Sequence, residues 1–247
     1  MGLRVPFFVI NPKSYLYGEE LLDLAKYADK KAKEYDVDIL FTAPFIELKT
    51  IVDNTKYLTV TAQHMDSISP GRGMGKIVGE MLKNIGVKAT FLNHVENKID
   101  DEEELEKVIK KCKDLGIQSV VCANSVEDAK KVAGLGADII ICEPDELVGT
   151  GQTSSEDYMI ATNNAIKEVN PQTQVLQAAG ISTPEDVYKA IYLGADSTGG
   201  TSGIIKANNY INKGYLTGGY SKKVANILGR KEEITKLEKE IISLERK

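Results

Sequence analysis

Eight short apolar runs separated by amphipathic helical stretches limit this chain to very few architectures. The runs fall at 5–11, 37–43, 58–64, 89–94, 117–123, 138–143, 174–179 and 195–201. Several are continuously apolar rather than alternating, as in Ile139-Ile140-Ile141. A strand covered on both faces needs that pattern, and such strands belong to parallel sheets. The stretches 19–34, 80–85, 101–115, 126–135, 155–169 and 184–193 predict helices between the runs. Asp100 with Glu103 reads as a capping box, and Thr183-Pro184 as an N-cap followed by a first-turn proline. Gly86, Gly116, Gly136 and Gly194 stand where a helix would end in a left-handed residue just before the next strand. Eight β-α units in about 205 residues predict an α/β fold, a (β/α)8 barrel in a single domain. A doubly wound open sheet is the alternative.

The rhythm stops near residue 213, so a barrel over 1–213 and a C-terminal extension over 214–247 are expected. The extension holds the glycine-rich turn Gly214-Tyr215-Leu216-Thr217-Gly218-Gly219-Tyr220. A charged helix follows, with Ile234, Leu237, Ile241 and Leu244 on one stripe. Two heptads are too few for a secure coiled coil, so the stripe is expected to pack on the barrel or on a partner.

With a net charge of −5 and no long basic run, nucleic acid is not an expected partner. Nothing approaches the run of about 18 apolar residues that a membrane span needs. The apolar start at 5–10 is too short for a signal segment, and the expected location is cytoplasmic. Cys112, Cys122 and Cys142 are spaced for neither a disulfide framework nor a zinc site, and two histidines are too few for a multi-histidine metal centre.

Catalytic groups of such a barrel stand at the C-terminal ends of its strands. The first run here ends in Asn11-Pro12-Lys13, the third in Gln63-His64, and the fourth in Asn93-His94-Val95-Glu96. The sixth ends in Glu143, followed by Pro144-Asp145-Glu146-Leu147-Val148-Gly149-Thr150-Gly151. That is a carboxylate beside a segment with a stiff proline at one end and permissive glycines at the other, as a closing lid requires. The last two runs end in Ala179-Gly180-Ile181-Ser182 and Gly199-Gly200-Thr201-Ser202-Gly203, whose backbone N–H groups and hydroxyls can cradle a phosphate.

From Asn11 to about Lys206 these motifs resemble the triosephosphate isomerase family in its short archaeal form. The lid motif and the Asn-His-x-Glu motif carry most of the resemblance. Gly180-Ile181-Ser182-Thr183-Pro184-Glu185-Asp186-Val187 is less specific, because many phosphate-binding barrels have something similar.

The resemblance implies an isomerase that interconverts a phosphorylated ketose and aldose through an enediolate. Dihydroxyacetone phosphate and glyceraldehyde 3-phosphate, the pair of glycolysis and gluconeogenesis, are the leading substrates. Glu143 would be the base, His94 would polarise the carbonyl and shuttle a proton between oxygens, and Lys13 would stabilise negative charge. This family is itself a standard worked case of a neutral electrophilic imidazole, so that protonation state is implied too. Asn11 and Glu96 would orient substrate oxygens and support the electrostatics. Gly149, Gly151, Gly180, Gly199, Gly200, Thr201 and Ser202 would bind substrate and phosphate. No metal or organic cofactor is needed for this chemistry. A homodimer or homotetramer is implied, with the loop after the third strand reaching into a neighbour.

Cys122 would be a packing residue, His64 an interface polar residue, and Asp145 and Glu146 solvated lid charges. The chain departs from the family at several points. Val95 stands where a serine hydroxyl normally meets the catalytic carboxylate, Met74 where an interface threonine is usual, and Asn97-Lys98 where an arginine pair is common. The eighth run, Asp196-Ser197-Thr198-Gly199-Gly200, is more polar than in the archaeal form. These departures leave open a paralogue acting on a four-carbon ketose phosphate such as an erythrulose phosphate. A catalytically idle sugar-phosphate-binding barrel and a phosphate-binding synthase barrel are further alternatives.

Overall fold

The computed structural model describes residues 2–205. The extension expected at 214–247, and the last residues of the barrel expected to reach 213, lie outside the described residues. Eight parallel strands close on themselves in chain order. They are β1 (Phe7–Ile10), β2 (Ile39–Ala43), β3 (Leu58–Ala62), β4 (Ala89–Leu92), β5 (Gln118–Ala123), β6 (Ile139–Cys142), β7 (Gln174–Gln177) and β8 (Ser197–Gly200), with β8 paired back to β1. The intervening helices are α1 (Gly18–Tyr35), α2 (Leu48–Asn54), α3 (Gly79–Asn84), α4 (Glu102–Leu115), α5 (Val126–Gly134), α6 (Glu156–Val169), α7 (Pro184–Tyr192) and the short α8 (Ser202–Ile205). The fold is the (β/α)8 barrel read from the sequence. No helix among the described residues is long and apolar enough to cross a membrane.

Strand side chains alternate between two cores, because successive residues point to opposite faces. Phe7, Val9, Phe91, Val120, Ile139, Ile141 and Leu176 pack together inside the barrel. Their neighbours Phe8, Ile10, Leu92, Val121 and Ile140 pack with helix residues such as Leu21, Leu24 and Val108. This is why the runs had to be apolar throughout. The polar character of β8 has its own explanation. Ser197 Oγ donates to the Phe7 carbonyl at 2.8 Å, and Thr198 Oγ1 donates to the Gln177 carbonyl at 2.9 Å. At Gly199 a Cβ would come within 2.4 Å of the Val9 carbonyl oxygen, so β1 and β8 can close the barrel only over a glycine.

Several boundaries differ from the sequence reading. Six strands end one or two positions early, and after β1, β4 and β7 the chain soon leaves the extended conformation. Lys13, Asn93 and Ala179 have φ of +50°, +58° and +70°. The N-cap of α4 is Asp101 rather than Asp100, with its side chain accepting from the Glu103 N–H. Thr183 is the N-cap read from the sequence, and it forms a capping box that was not read: Thr183 accepts from the Asp186 N–H, and Asp186 accepts from the Thr183 N–H at 2.8 Å. Gly86, Gly116, Gly136 and Gly194 all adopt positive φ. Helix α2 has only seven residues, with Leu48 and Ile51 buried, too short to stand out as a periodic pattern.

Phe41 of β2 is fully buried. Phe41→Ala should lower unfolding free energy by about 3–5 kcal/mol in urea titration, since both transfer and cavity costs apply. A loss below about 1 kcal/mol would contradict the packing described.

Candidate active site

The C-terminal rim is built on local strain. Of the four non-glycine residues with positive φ among the described residues, Lys13, Asn93 and Ala179 all stand there, the fourth being Asp36. A left-handed backbone costs such a residue about 1–2 kcal/mol and persists only where its surroundings hold it. Each of the two polar ones has an evident hold. The Lys13 N–H donates to Asn11 Oδ1 at 3.0 Å, and its carbonyl accepts from Gln63 Nε2 at 2.9 Å. Asn93 donates from Nδ2 to the Cys122 carbonyl at 3.2 Å and accepts the Ile99 N–H at 3.1 Å, tying the loop after β4 to β5. These contacts turn Lys13 and His94 toward the barrel mouth.

There, a cavity of about 360 Å³ is lined by Asn11, Lys13, His94, Glu143, Gly149, Gly151, Gly180, Gly199, Gly200 and Thr201, over an apolar floor of Val9, Phe91, Ile141 and Leu176. Ten of the twelve residues read as catalytic or phosphate-binding therefore meet in one place. Glu96 is not among them. Its carboxylate pairs with Lys13 Nζ at 2.6 Å from the far side and borders an adjoining recess of about 210 Å³ with Gln63, His64 and Asn97. Ser202 is the first residue of α8.

His94 and Glu143 are tuned in opposite directions. Burial chiefly, and then the Lys13 ammonium, hold the imidazole below its usual pKa, so it is neutral at neutral pH. Its Nδ1 accepts the Glu96 N–H at 3.1 Å, which assigns the ring proton to Nε2. Burial raises the Glu143 carboxyl above the usual carboxylate range, opposed by Lys13 and by the Ala179 N–H. Position 95 is a half-buried valine and offers that carboxylate no hydroxyl. The three cysteines are buried, with Cys112 and Cys142 pushed up to about 12 by burial and Cys122 raised as well, so none is a thiolate nucleophile. His64 Nε2 lies 3.6 Å from Asp66 Oδ1 and outside the main cavity, consistent with a structural role.

The lid follows Glu143 directly. Buried Pro144 leads into a 3-10 turn at Asp145–Leu147, and Gly149 and Gly151 both take φ of +78°. Asp145 is not the solvated charge expected of it. It accepts from Asn124 Nδ2 at 3.0 Å and pairs with Lys98 Nζ at 3.2 Å. The far stem of the lid rests on Gly180, where a Cβ would fall 2.3 Å from the Gln152 carbonyl carbon. Gly180→Ala should therefore push that stem away and cost about tenfold or more in kcat/KM, as small misplacements near reacting groups do. Unchanged steady-state kinetics would contradict this packing.

A sequence profile of the triosephosphate isomerase family matches residues 6–212. The chain is 40% identical over 206 residues to the triosephosphate isomerase of Methanocaldococcus jannaschii, an alignment covering 81% of this chain and 93% of the relative. It is 37% identical to the enzyme of Sulfurisphaera tokodaii, over 83% of this chain and 91% of the relative. It is 36% identical to that of Methanothermus fervidus, with 83% and 93% covered. On a profile match across most of its length and relatives of this identity, the chain belongs to the triosephosphate isomerase family.

Proposed function

We propose that the protein interconverts dihydroxyacetone phosphate and glyceraldehyde 3-phosphate. The observation that carries this reading is the convergence of an ammonium, a neutral imidazole and a desolvated carboxylate on one small cavity. Glu143 removes the proton from the carbon beside the carbonyl; the C–H electron pair becomes the carbon–carbon double bond and the carbonyl π pair moves onto the oxygen, giving an enediolate. His94 Nε2–H polarises that oxygen and passes a proton between the two oxygens. Glu143 then returns its proton to the adjacent carbon. Lys13 offsets the negative charge throughout, and Asn11 and Glu96 hold it in place.

The phosphate is assigned to backbone groups of Gly149, Gly151, Gly180, Gly199 and Gly200 and to Thr201, all lining the cavity, with Ser202 next in the chain. Lid closure excludes water and keeps the enediolate from losing phosphate to give methylglyoxal. A volume of about 360 Å³ is near the lower end for ligand sites and suits a small substrate.

Purified protein should turn over the triose pair faster than any four-carbon ketose phosphate in a coupled assay. No activity on the triose pair would overturn the reading. kcat/KM should fall on the acid side as Glu143 takes up a proton, and the raised pKa puts that limb above the ordinary carboxylate value of about 4.3. A limb at or below that value would contradict the burial of this carboxyl.

A cytoplasmic homodimer or homotetramer is part of this proposal. Met74 is fully exposed on the loop after β3, and the open recess beside Lys13 could receive such a loop from a second copy. Sedimentation showing only monomer would contradict it.

A further inference from the structure

Ala178 follows β7 directly, lines the main cavity and packs with the core inside the barrel, so its methyl faces the space above Leu176. The pairings Cys142↔Gln177 and Gln177↔Thr198 put it, one row further on, between Glu143 and Gly199. We propose that the Ala178 methyl is a specificity-determining group that limits how many carbons can stand between the reacting carbons and the phosphate. This rests on the reading of Glu143 as the base and of Gly180 and Gly199 as part of the phosphate site.

On one side Ala178 is tied to the base. Its N–H donates to the Cys142 carbonyl at 3.3 Å, and the N–H of Ala179 bonds the Glu143 carboxylate. On the other side stand glycines that also line the cavity, Gly180 two residues along the chain and Gly199 on β8. Neither has room for a side chain. A Cβ would fall 2.3 Å from the Gln152 carbonyl carbon at Gly180, and 2.4 Å from the Val9 carbonyl oxygen at Gly199. The row from Glu143 to Gly199 therefore carries one side chain between them, a single methyl.

Total volume does not set the length of the substrate. A cavity of about 360 Å³ has room for four carbons as well as three, so discrimination must come from its width at one point. A three-carbon substrate can reach from base to phosphate across Ala178. One more CHOH unit between the same ends has to bow toward a wall, and the methyl occupies that wall. The extra hydroxyl would also lie against apolar surface, with no partner there to replace water. One carbon more or less in a fitted apolar pocket is worth about 10–200-fold in kcat/KM.

The test compares the wild type with Ala178→Gly, Ala178→Ser and Ala178→Val. Turnover is measured as kcat/KM for dihydroxyacetone phosphate and for erythrulose 4-phosphate. Binding is measured by calorimetry with glycerol 1-phosphate and erythritol 4-phosphate, alcohols that cannot react. The ratio of three-carbon to four-carbon values is read in each case, because a ratio does not change with the fraction of folded protein. Ala178→Gly should lower the three-carbon preference about tenfold, in turnover and in binding alike. Ala178→Ser, close to alanine in size, should keep the preference within about twofold of wild type. Ala178→Val should lower kcat/KM for dihydroxyacetone phosphate about tenfold, chiefly through KM, because its added methyls intrude on the substrate.

A preference within about twofold of wild type in Ala178→Gly, a shift in Ala178→Ser as large as in Ala178→Gly, or wild-type affinities in Ala178→Val would each overturn the assignment. If the wild type does not turn over the triose pair, the functional reading fails. The affinity ratio of the two alcohol phosphates then decides the role of Ala178 by itself.

Discussion

Glu143→Gln is expected to lower kcat about a thousandfold while leaving affinity for inorganic phosphate within about threefold. Glutamine keeps the size and the hydrogen-bonding oxygen of the native side chain but has no basicity. The carboxylate lies where desolvation raises its proton affinity, which is what a base needs to take a proton from carbon, a weak acid. A loss of about a thousandfold corresponds to roughly 4 kcal/mol of transition-state stabilisation. Phosphate binding is assigned to other residues lining the cavity, so it should hardly respond. Glu143→Asp should fall between the two, because it keeps the charge but withdraws it by one methylene. A kcat within about tenfold of wild type for Glu143→Gln would exclude the assigned base.

Lys13→Met should damage both steps, with kcat lowered about a hundredfold and KM raised about tenfold. The ammonium is the cation of the assigned catalytic set, so its loss weakens capture of an anion as well as stabilisation of the enediolate. It also leaves Glu96, now 2.6 Å from Nζ, without that partner, adding a second negative charge near the same space. Methionine matches the length of lysine and takes the left-handed backbone at 13 at similar cost, so the fold should be kept and circular dichroism unchanged. Lys13→Met/Glu96→Gln should regain part of the lost affinity. Equal kinetics in Lys13→Met and wild type would contradict the electrostatic role.

The same contacts explain what could and could not be read beforehand. The strands were legible because burial on both faces forces continuous apolar runs, and β6 is the clearest case. Lys13, His94 and Glu143 were legible because each sits beside a strand end within a recognisable motif. Asp145 looked like any acidic residue in a loop. Its partners lie 47 and 21 residues away in sequence, and only the closed barrel brings their loops together. Gln63 was visible as part of a motif, but its bond to the Lys13 carbonyl spans 50 residues and leaves no local trace. Asn93 was similar: its φ of +58° depends on contacts to β5 and Ile99. The polar β8 read as a departure, whereas Ser197 and Thr198 simply satisfy neighbouring carbonyls and Gly199 lets β1 approach.

Solvent deuterium incorporation during turnover of dihydroxyacetone phosphate in heavy water tests the assigned chemistry most directly. One base working on two adjacent carbons should leave deuterium on the carbon bearing the transferred proton in wild-type product, with incorporation falling in step with kcat in Glu143→Gln. Product formed with no solvent deuterium at either carbon, or incorporation at the wild-type rate in Glu143→Gln, would contradict proton abstraction by this carboxylate.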